Sequence, residues 1–185
     1  LDSFKNSCES YLQPDLNLAS KIRKKILQGN SSKICGITWR GGVKKNLMPN
    51  KQSIDLKKIV QLFDGINVQL VNLQYGDTSK EIENLKTNFG VNILNFPEID
   101  NFKNLDGLAS LISACDQVVS IDTATVHLAG ALGIKTSLLL PFSCSWRWGR
   151  TRKKSHIHSS VNLYRQKKVA DWDAPIKELK LALEF

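Results

Sequence analysis

Apolar residues recur along the chain with two alternating spacings. Short apolar runs rich in β-branched residues predict strands over residues 34–39, 68–73, 91–94, 117–121, 136–140 and 161–164. Between them, apolar residues spaced i, i+3, i+4, i+7 predict helices over residues 53–65, 78–89, 108–115 and 123–132, and a last helix beginning near residue 175. A further amphipathic helix, with Leu18, Ile22 and Ile26 inward, precedes the first strand. Strands that alternate with helices indicate an α/β protein with a Rossmann-like, doubly wound parallel sheet of about six strands.

Polar residues at the helix starts suggest how those helices are capped. Thr78 and Glu81 have the spacing of a capping box, in which each side chain satisfies the other residue's backbone N–H. Asp173 precedes Pro175, a residue suited to a first helical turn, and is therefore predicted to be the N-cap of the last helix.

The composition is that of an ordinary globular protein, with an excess of positive charge. The 185 residues are 42% apolar and 23% charged, which excludes low-complexity disorder and a polytopic membrane protein. The absence of a visible signal peptide, and Cys35 and Cys115 within apolar patterns, predict a cytoplasmic protein with buried, reduced thiols. The net charge of +9 suggests an anionic partner without naming it.

Three loops follow strands at the edge where parallel sheets bind ligands: residues 39–42, 74–76 and 122–125. In the third, Asp122 ends a strand and Thr123, Ala124 and Thr125 open a helix, whose free N–H groups suit a phosphate. An ordinary N-cap at Asp122 or Thr123 explains the same residues equally well.

Three further residues could contact an anion near this edge. His127 lies one turn inside the helix, but a lone histidine is usually an interior residue with satisfied hydrogen bonds. Arg40 follows a strand and precedes two glycines, as in a loop that approaches a ligand, or in a plain turn. Arg147, between Trp146 and Trp148, could bind phosphate, although the tryptophans could instead anchor the loop while Arg147 pairs with an acid.

Common nucleotide and metal motifs are missing. The chain contains neither G-x-G-x-x-G nor G-x-x-x-x-G-K-[ST]. Asp171-Trp172-Asp173 spells D-x-D, a spacing that can hold a metal-bound diphosphate, but helix capping explains it better. With no other cluster of ligand residues at metal-binding spacing, we expect no metal and no cofactor.

Residues 122–129, Asp-Thr-Ala-Thr-Val-His-Leu-Ala, resemble the D-[ST]-x-x-x-H-L-A signature of family 9 glycosyltransferases, the heptosyltransferase-like enzymes. The resemblance extends over nearly the whole chain. It includes residues 11–15, 36–41, 53–56, 72–74, 146–148, 163–166 and 171–173, which are similar to the heptosyltransferase-like domain that follows tetratricopeptide repeats in many bacterial proteins.

This resemblance implies a GT-B fold, in which two Rossmann-like halves face each other across a cleft. The chain is similar to the carboxyl-terminal half, which binds a nucleotide-diphosphate sugar and transfers the sugar without a metal. Residues 33–185 would form that domain, and residues 1–32 a helical lead-in from a missing amino-terminal half, with tetratricopeptide repeats as a further possible partner.

The resemblance also implies a set of donor-binding residues. The family commonly has an arginine just before the serine that matches Ser53, whereas this chain has Gln52, so a diphosphate contact would pass to Lys51, or to Lys44 and Lys45. The full set is Trp39, Arg40, Gly41, Lys51, Gln74, Asp122, Thr123, Ala124, Thr125, His127 and Arg147. No catalytic base is assigned.

Two other functions stay open from the sequence. One is a non-catalytic Rossmann-like module that binds a nucleotide or a protein, because a fold alone does not establish chemistry. The other is nucleic-acid binding, which only the charge suggests, since no recognised nucleic-acid module is present.

Overall fold

The computed structural model describes residues 10–28, 32–41 and 53–183. Six helices and six strands alternate in these residues. In chain order they are α1 (Leu16–Leu27), β1 (Lys33–Ile37), α2 (Leu56–Val60), β2 (Val68–Asn72), α3 (Ser79–Phe89), β3 (Ile93–Leu94), α4 (Leu105–Ser113), β4 (Gln117–Ile121), α5 (Ala124–Ala131), β5 (Thr136–Leu140), β6 (Val161–Arg165) and α6 (Asp173–Ala182). Single 3-10 turns at Gln61–Phe63 and Trp146–Trp148 complete the pattern.

The strands form one six-stranded sheet in the order β3-β2-β1-β4-β5-β6. Every neighbouring pair is parallel, with Ile37 opposite Asn72 on one side and Val119 on the other. The prediction of a Rossmann-like parallel sheet is therefore confirmed. The chain leaves β1 toward one sheet edge and returns at β4 to build toward the other edge.

Helices cover both faces of the sheet because its strands are apolar on both sides. One core contains residues of α2, α3 and α6 packed on Cys35, Ile37 and Val119. The other contains residues of α1, α4 and α5 packed on Ile34 and Val118. Cys35 and Cys115 are buried free thiols, as predicted, and burial raises the pKa of Cys115 to about 12.

Helix α1 is docked on the domain. Its buried residues are Ala19, Ile22 and Ile26, whereas Leu18 is 37% exposed. The prediction that Leu18 faces inward is wrong, because Ala19 completes the i, i+3, i+7 face that meets α4. Arg23 reinforces the contact by donating to the carbonyl of Ala114 at 2.7 Å and to the Asp116 carboxylate at 2.9 Å.

Two of the predicted helix caps are wrong. Thr78 makes no capping hydrogen bond; its hydroxyl accepts from the Asn72 amide, and the Glu81 carboxylate accepts from the indole of Trp39. Asp173 is already inside α6, and the carboxylate of Asp171 accepts from the backbone N–H of Asp173 at 3.1 Å. In the first case two tertiary donors occupy the expected capping side chains, and in the second a neighbouring carboxylate is the acceptor.

Candidate functional site

The candidate site lies where β1 and β4 are neighbours and the strand order reverses. Ligands of open parallel sheets bind in the crevice outside the carboxyl ends of the strands at this position. Here the hydroxyls of Thr38 and Ser120 are 2.7 Å apart, and the backbone N–H of Thr38 donates to the carbonyl of Val119. These buried contacts hold the two strand ends together beneath the loops that follow them.

The amino terminus of α5 opens directly at this crevice. Thr123 occupies the N-cap position with an extended backbone, φ −135° and ψ 172°, but its side chain accepts no hydrogen bond from the helix. Its Oγ1 atom is buried and has no hydrogen-bond partner among the described residues. Thr123 therefore does not cap α5 through its side chain, and its buried hydroxyl is left without a partner among the described residues.

A polar cleft of about 520 Å³, which we call the β5 cleft, separates α5 from the loop after β5. It is lined by Asp122, Thr123, Ala124, His127, Ser143, Cys144, Ser145 and Arg147. Among the described residues Arg147 forms no ion pair, so the expected pairing with an acid is not seen. Trp148 is fully buried and anchors the loop, whereas Trp146 is 83% exposed and does not.

His127 lies on the wall of the β5 cleft. Its ring stacks on Trp148 with centroids 5.0 Å apart, and its Nδ1 lies 3.2 Å from Nε2 of His158. His158 in turn has Nδ1 3.4 Å from the hydroxyl of Tyr11. Burial lowers the pKa of His127 from 6.5, with Arg147 lowering it further and Asp122 opposing the shift. His127 is therefore neutral at pH 7.

A second cleft of about 570 Å³, the aromatic cleft, adjoins the other side of the α5 amino terminus. Its apolar wall includes Tyr11, Tyr75, Phe102 and Leu105, and it shares Thr123 and His127 with the β5 cleft. Thr125 also borders it, but this side chain is 3% exposed and packs into the body of the protein. Asp122 and Ala124 line both clefts.

The site residues predicted in and beside the loop after β1 make contacts within the protein that fix the conformation of that loop. Gln74 is buried, and its side-chain oxygen accepts from the backbone N–H groups of Trp39 at 3.0 Å and Arg40 at 2.8 Å. Trp39 is 1% exposed within the core. The Arg40 guanidinium donates to the carbonyl of Asp77, and its Nε is 3.4 Å from the Glu81 carboxylate.

The same loop is tied to the next helix through Gly41. Its backbone N–H donates to the hydroxyl of Ser53 at 3.2 Å, and the N–H of Ile54 donates to the carbonyl of Trp39. The predicted contact at Lys51, together with Lys44, Lys45 and Gln52, lies outside the described residues. The described residues contain no group of three or more His, Cys, Asp or Glu side chains that could hold a metal ion.

Sequence reasoning missed His158 and Gly130. A Cβ atom at Gly130 would lie 2.4 Å from Cγ of His158, so only glycine lets this ring pack against α5. No local pattern signals the pairing, because His158 belongs to a basic stretch 31 residues from His127. The sole hint is a glycine in the interior of a predicted helix, which often has a packing reason.

Comparison with known proteins supports a glycosyltransferase-like fold. No protein-family model matches the chain. Protein FlbA from Caulobacter vibrioides is 31% identical over 137 residues, which cover 74% of this chain but 23% of FlbA. The chain thus spans about a quarter of that relative.

Among solved structures, the chain resembles ADP-heptose LPS heptosyltransferase II from Escherichia coli, with a TM-score of 0.60 and 17% identity over 92% of this chain and 52% of that one. It also resembles a family 9 glycosyl transferase from Veillonella parvula, with a TM-score of 0.57 and 8% identity over 88% of this chain and 44% of that one. The chain also resembles E. coli heptosyltransferase WaaC with ADP-2-deoxy-2-fluoro heptose. The TM-score is 0.52, and the identity is 14% over 98% of this chain and 52% of that one. The chain spans about half of each protein.

Proposed function

We propose that this chain is the donor-binding, carboxyl-terminal half of a metal-independent GT-B glycosyltransferase. Its donor is a nucleotide-diphosphate sugar, and the sugar passes to an acceptor when a second Rossmann-like half is present. The observation that carries the proposal is the α5 amino terminus, where Thr123, whose buried hydroxyl has no partner among the described residues, lines a cleft that Arg147 also lines. The glycosyltransferase-like fold supports it.

The chemistry of sugar transfer explains why these groups suit the task. When the glycosidic bond to the donor breaks, negative charge develops on the departing diphosphate. Free backbone N–H groups and the positive end of the α5 dipole stabilise such charge, and so does an arginine with fixed N–H donors. Arg147 and the first turn of α5 provide both without a divalent cation, so we expect binding to be independent of magnesium.

The two clefts give the rest of the donor a place on either side of the diphosphate. A diphosphate at the α5 amino terminus would direct one end of the donor into the β5 cleft and the other into the aromatic cleft. Tyr75 and Phe102 supply apolar ring surface in the latter, as bases and sugar rings require for stacking. Which end enters which cleft depends on the donor.

No residue of this chain is assigned as the catalytic base, which we place on the second half. The isolated chain should therefore fold and bind nucleotide but transfer little sugar. If the longer protein binds donor and still neither transfers nor hydrolyses it, the domain is instead a non-catalytic nucleotide-binding module.

Calorimetric titration of the chain with ADP, UDP and GDP, with and without chelator, tests the proposal. We expect one of the three to bind at the same affinity in both conditions. Arg147→Ala should weaken that binding about 10- to 150-fold, as expected for a lost charge-assisted hydrogen bond. Arg150→Ala is the control, because Arg150 is an exposed arginine that does not line the cleft. The absence of heat with all three nucleotides, or loss of binding in chelator, would contradict the proposal.

A further inference from the structure

The positive charge of the protein is concentrated in one stretch. Residues 123–170 contain nine Lys or Arg and no Asp or Glu. Since the whole chain has 26 basic and 17 acidic residues, removing these nine leaves 17 of each, so the remainder is formally neutral. The net charge of +9 therefore originates entirely from the part of the chain that includes β5 and β6.

Eight of these nine basic residues, all except Lys135, lie on the edge strand β6 or in the loops beside it, and seven of the eight are exposed. Residues 153–155 run antiparallel along its outer side: Leu163 N–H donates to the Lys153 carbonyl at 2.8 Å, and Ser155 N–H donates to the Val161 carbonyl at 3.0 Å. The guanidinium of Arg165 binds the carbonyls of Trp148 and Arg152 and so fastens the preceding loop to the same edge.

The seven exposed basic residues of this edge are Arg147, Arg150, Arg152, Lys153, Lys154, Lys167 and Lys168. Within the described residues, none of them has an acidic side chain within ion-pair distance.

Exposed apolar side chains lie among these charges. Trp146 is 83% exposed, and Phe142 and Val169 are each 57% exposed. The loop after β5 is joined to the end of β6 here, because the Phe142 N–H donates to the Gln166 side chain at 3.0 Å. We call this combined surface, Phe142–Lys154 with Lys167–Val169, the β6 surface.

We propose that the β6 surface docks the protein on an anionic lipid membrane. Lys and Arg would contact acidic headgroups, and Trp146, Phe142 and Val169 would enter the interfacial layer. Aromatic side chains favour this layer because they combine an apolar ring with a polar edge or polarisable face. Within the described residues no helix is long and apolar enough to span a bilayer.

A lipid surface fits these side chains better than a nucleic acid does. The exposed side chains of the surface are mainly cationic, aromatic or aliphatic, and they include no Asn or Gln that could read a base edge. An aliphatic side chain such as Val169 buries no apolar surface against a solvated phosphate backbone. At the apolar boundary of a bilayer it can bury that surface, which favours binding. The surface adjoins the nucleotide site, because Arg147 also lines the β5 cleft, and the variants that test the surface are therefore placed at Lys153 and Lys154, outside that cleft.

Sedimentation with vesicles tests the proposal on the whole chain. The protein should bind vesicles that contain phosphatidylglycerol and ignore vesicles of pure phosphatidylcholine. Salt should weaken the binding. Trp39, Trp148 and Trp172 are buried, so quenching of fluorescence by brominated lipid would report Trp146 and should vanish in Trp146→Phe.

Two matched double variants distinguish membrane binding through this surface from a nonspecific effect of the net charge. Lys153→Ala/Lys154→Ala should weaken binding on the order of 25-fold, about fivefold for each charge near the surface. Lys80→Ala/Lys86→Ala lowers the net charge of +9 by the same two units, but on α3 near the opposite edge of the sheet, and should retain binding.

Two results would overturn the proposal: equal loss in both double variants, or no binding to anionic vesicles, whether or not the protein binds single-stranded RNA.

Discussion

His127 and His158 share one close contact between ring nitrogens, Nδ1 to Nε2, at 3.2 Å. One of these nitrogens must carry a proton and the other must not, so the tautomer of one ring determines that of the other. If Tyr11 donates to Nδ1 of His158, then His158 donates from Nε2, and His127 keeps its own proton on Nε2. His127 would then offer an N–H donor to the adjoining cleft, which suits a phosphate oxygen.

The contact predicts that stability falls as the solution becomes acidic. Burial lowers the pKa of both rings, and Arg147 adds to the shift at His127 while Asp122 opposes it. The unfolded chain therefore binds more protons than the folded protein below the ordinary pKa of about 6.5, and folding is disfavoured there. The melting temperature should stay constant above about pH 7.5 and fall as the pH drops below about 6.5.

His158→Gln is the variant for this test, because glutamine keeps a polar side chain at the position but does not titrate. The variant should show a shallower fall in melting temperature over the same interval. Long-range proton–nitrogen NMR correlations of His127 should report a neutral ring with the proton on Nε2 in the unaltered protein and a changed tautomer balance in the variant. A fall of equal steepness in both proteins would contradict the prediction.

Gly130 makes the histidine contact possible. A methyl group there would lie 2.4 Å from Cγ and 2.7 Å from Cβ of His158, closer than atoms can pack. Gly130→Ala should therefore lower the free energy of unfolding by about 1–3 kcal/mol, although the same change in an open helix usually stabilises. Urea unfolding of Gly130→Ala, His158→Ala and the double variant measures this. If Gly130→Ala destabilises the protein as much in the His158→Ala background as in the unaltered protein, a clash with His158 is not the cause of the destabilisation.

The strands and most helices were predictable because their signals are local. The predicted bounds of β4 and β5 match the structure, since each is a short apolar run between turn residues. Leu18 was misplaced because the buried face of α1 depends on how the helix meets α4, and Ala19 fits that close approach. The Thr78 capping box failed because the Glu81 carboxylate accepts from the indole of Trp39, which lies in the loop after β1 and is distant in sequence.

The position of the candidate site in the fold could be predicted from the sequence, but the contacts that its residues make could not. The carboxyl edge of the sheet follows from the alternation of elements, and Asp122, Thr123 and Arg147 line one cleft there, whereas donor binding by these residues stays a prediction. The role of Gln74 depends on two backbone N–H groups more than 30 residues away, and that of His158 on a ring contact across two elements. Such contacts carry no signature in a single sequence.

Gln74 should be important for stability rather than for direct ligand contact. Its oxygen accepts from the backbone N–H groups of Trp39 and Arg40, and Gln74→Leu would leave both without that acceptor. A buried donor without a partner costs about 1–3 kcal/mol, so we expect the free energy of unfolding to fall by at least about 2 kcal/mol. Urea unfolding of Gln74→Leu measures the loss, and an unchanged free energy of unfolding would contradict this role.

A substitution at Thr123 distinguishes two roles for its hydroxyl, contact with a phosphate and capping of α5. Because its side chain makes no capping bond and Oγ1 is buried without a partner, Thr123→Val should leave the free energy of unfolding unchanged or raise it by up to about 1 kcal/mol. Loss of a true N-cap would instead lower it by about 1 kcal/mol. If the hydroxyl contacts a diphosphate, the same variant should bind the nucleotide found by calorimetry about fivefold more weakly, the typical effect of one hydrogen bond.

Thr123→Ser is the matched control for that measurement, because it keeps the hydroxyl and removes only a methyl group. It should bind nucleotide nearly as well as the unaltered chain. Melting curves and titrations on the three proteins give both quantities from the same samples. A destabilised Thr123→Val with normal nucleotide affinity would assign the residue to helix capping and remove its side chain from the proposed diphosphate site, leaving the backbone N–H groups of α5 and Arg147 as the contacts to test.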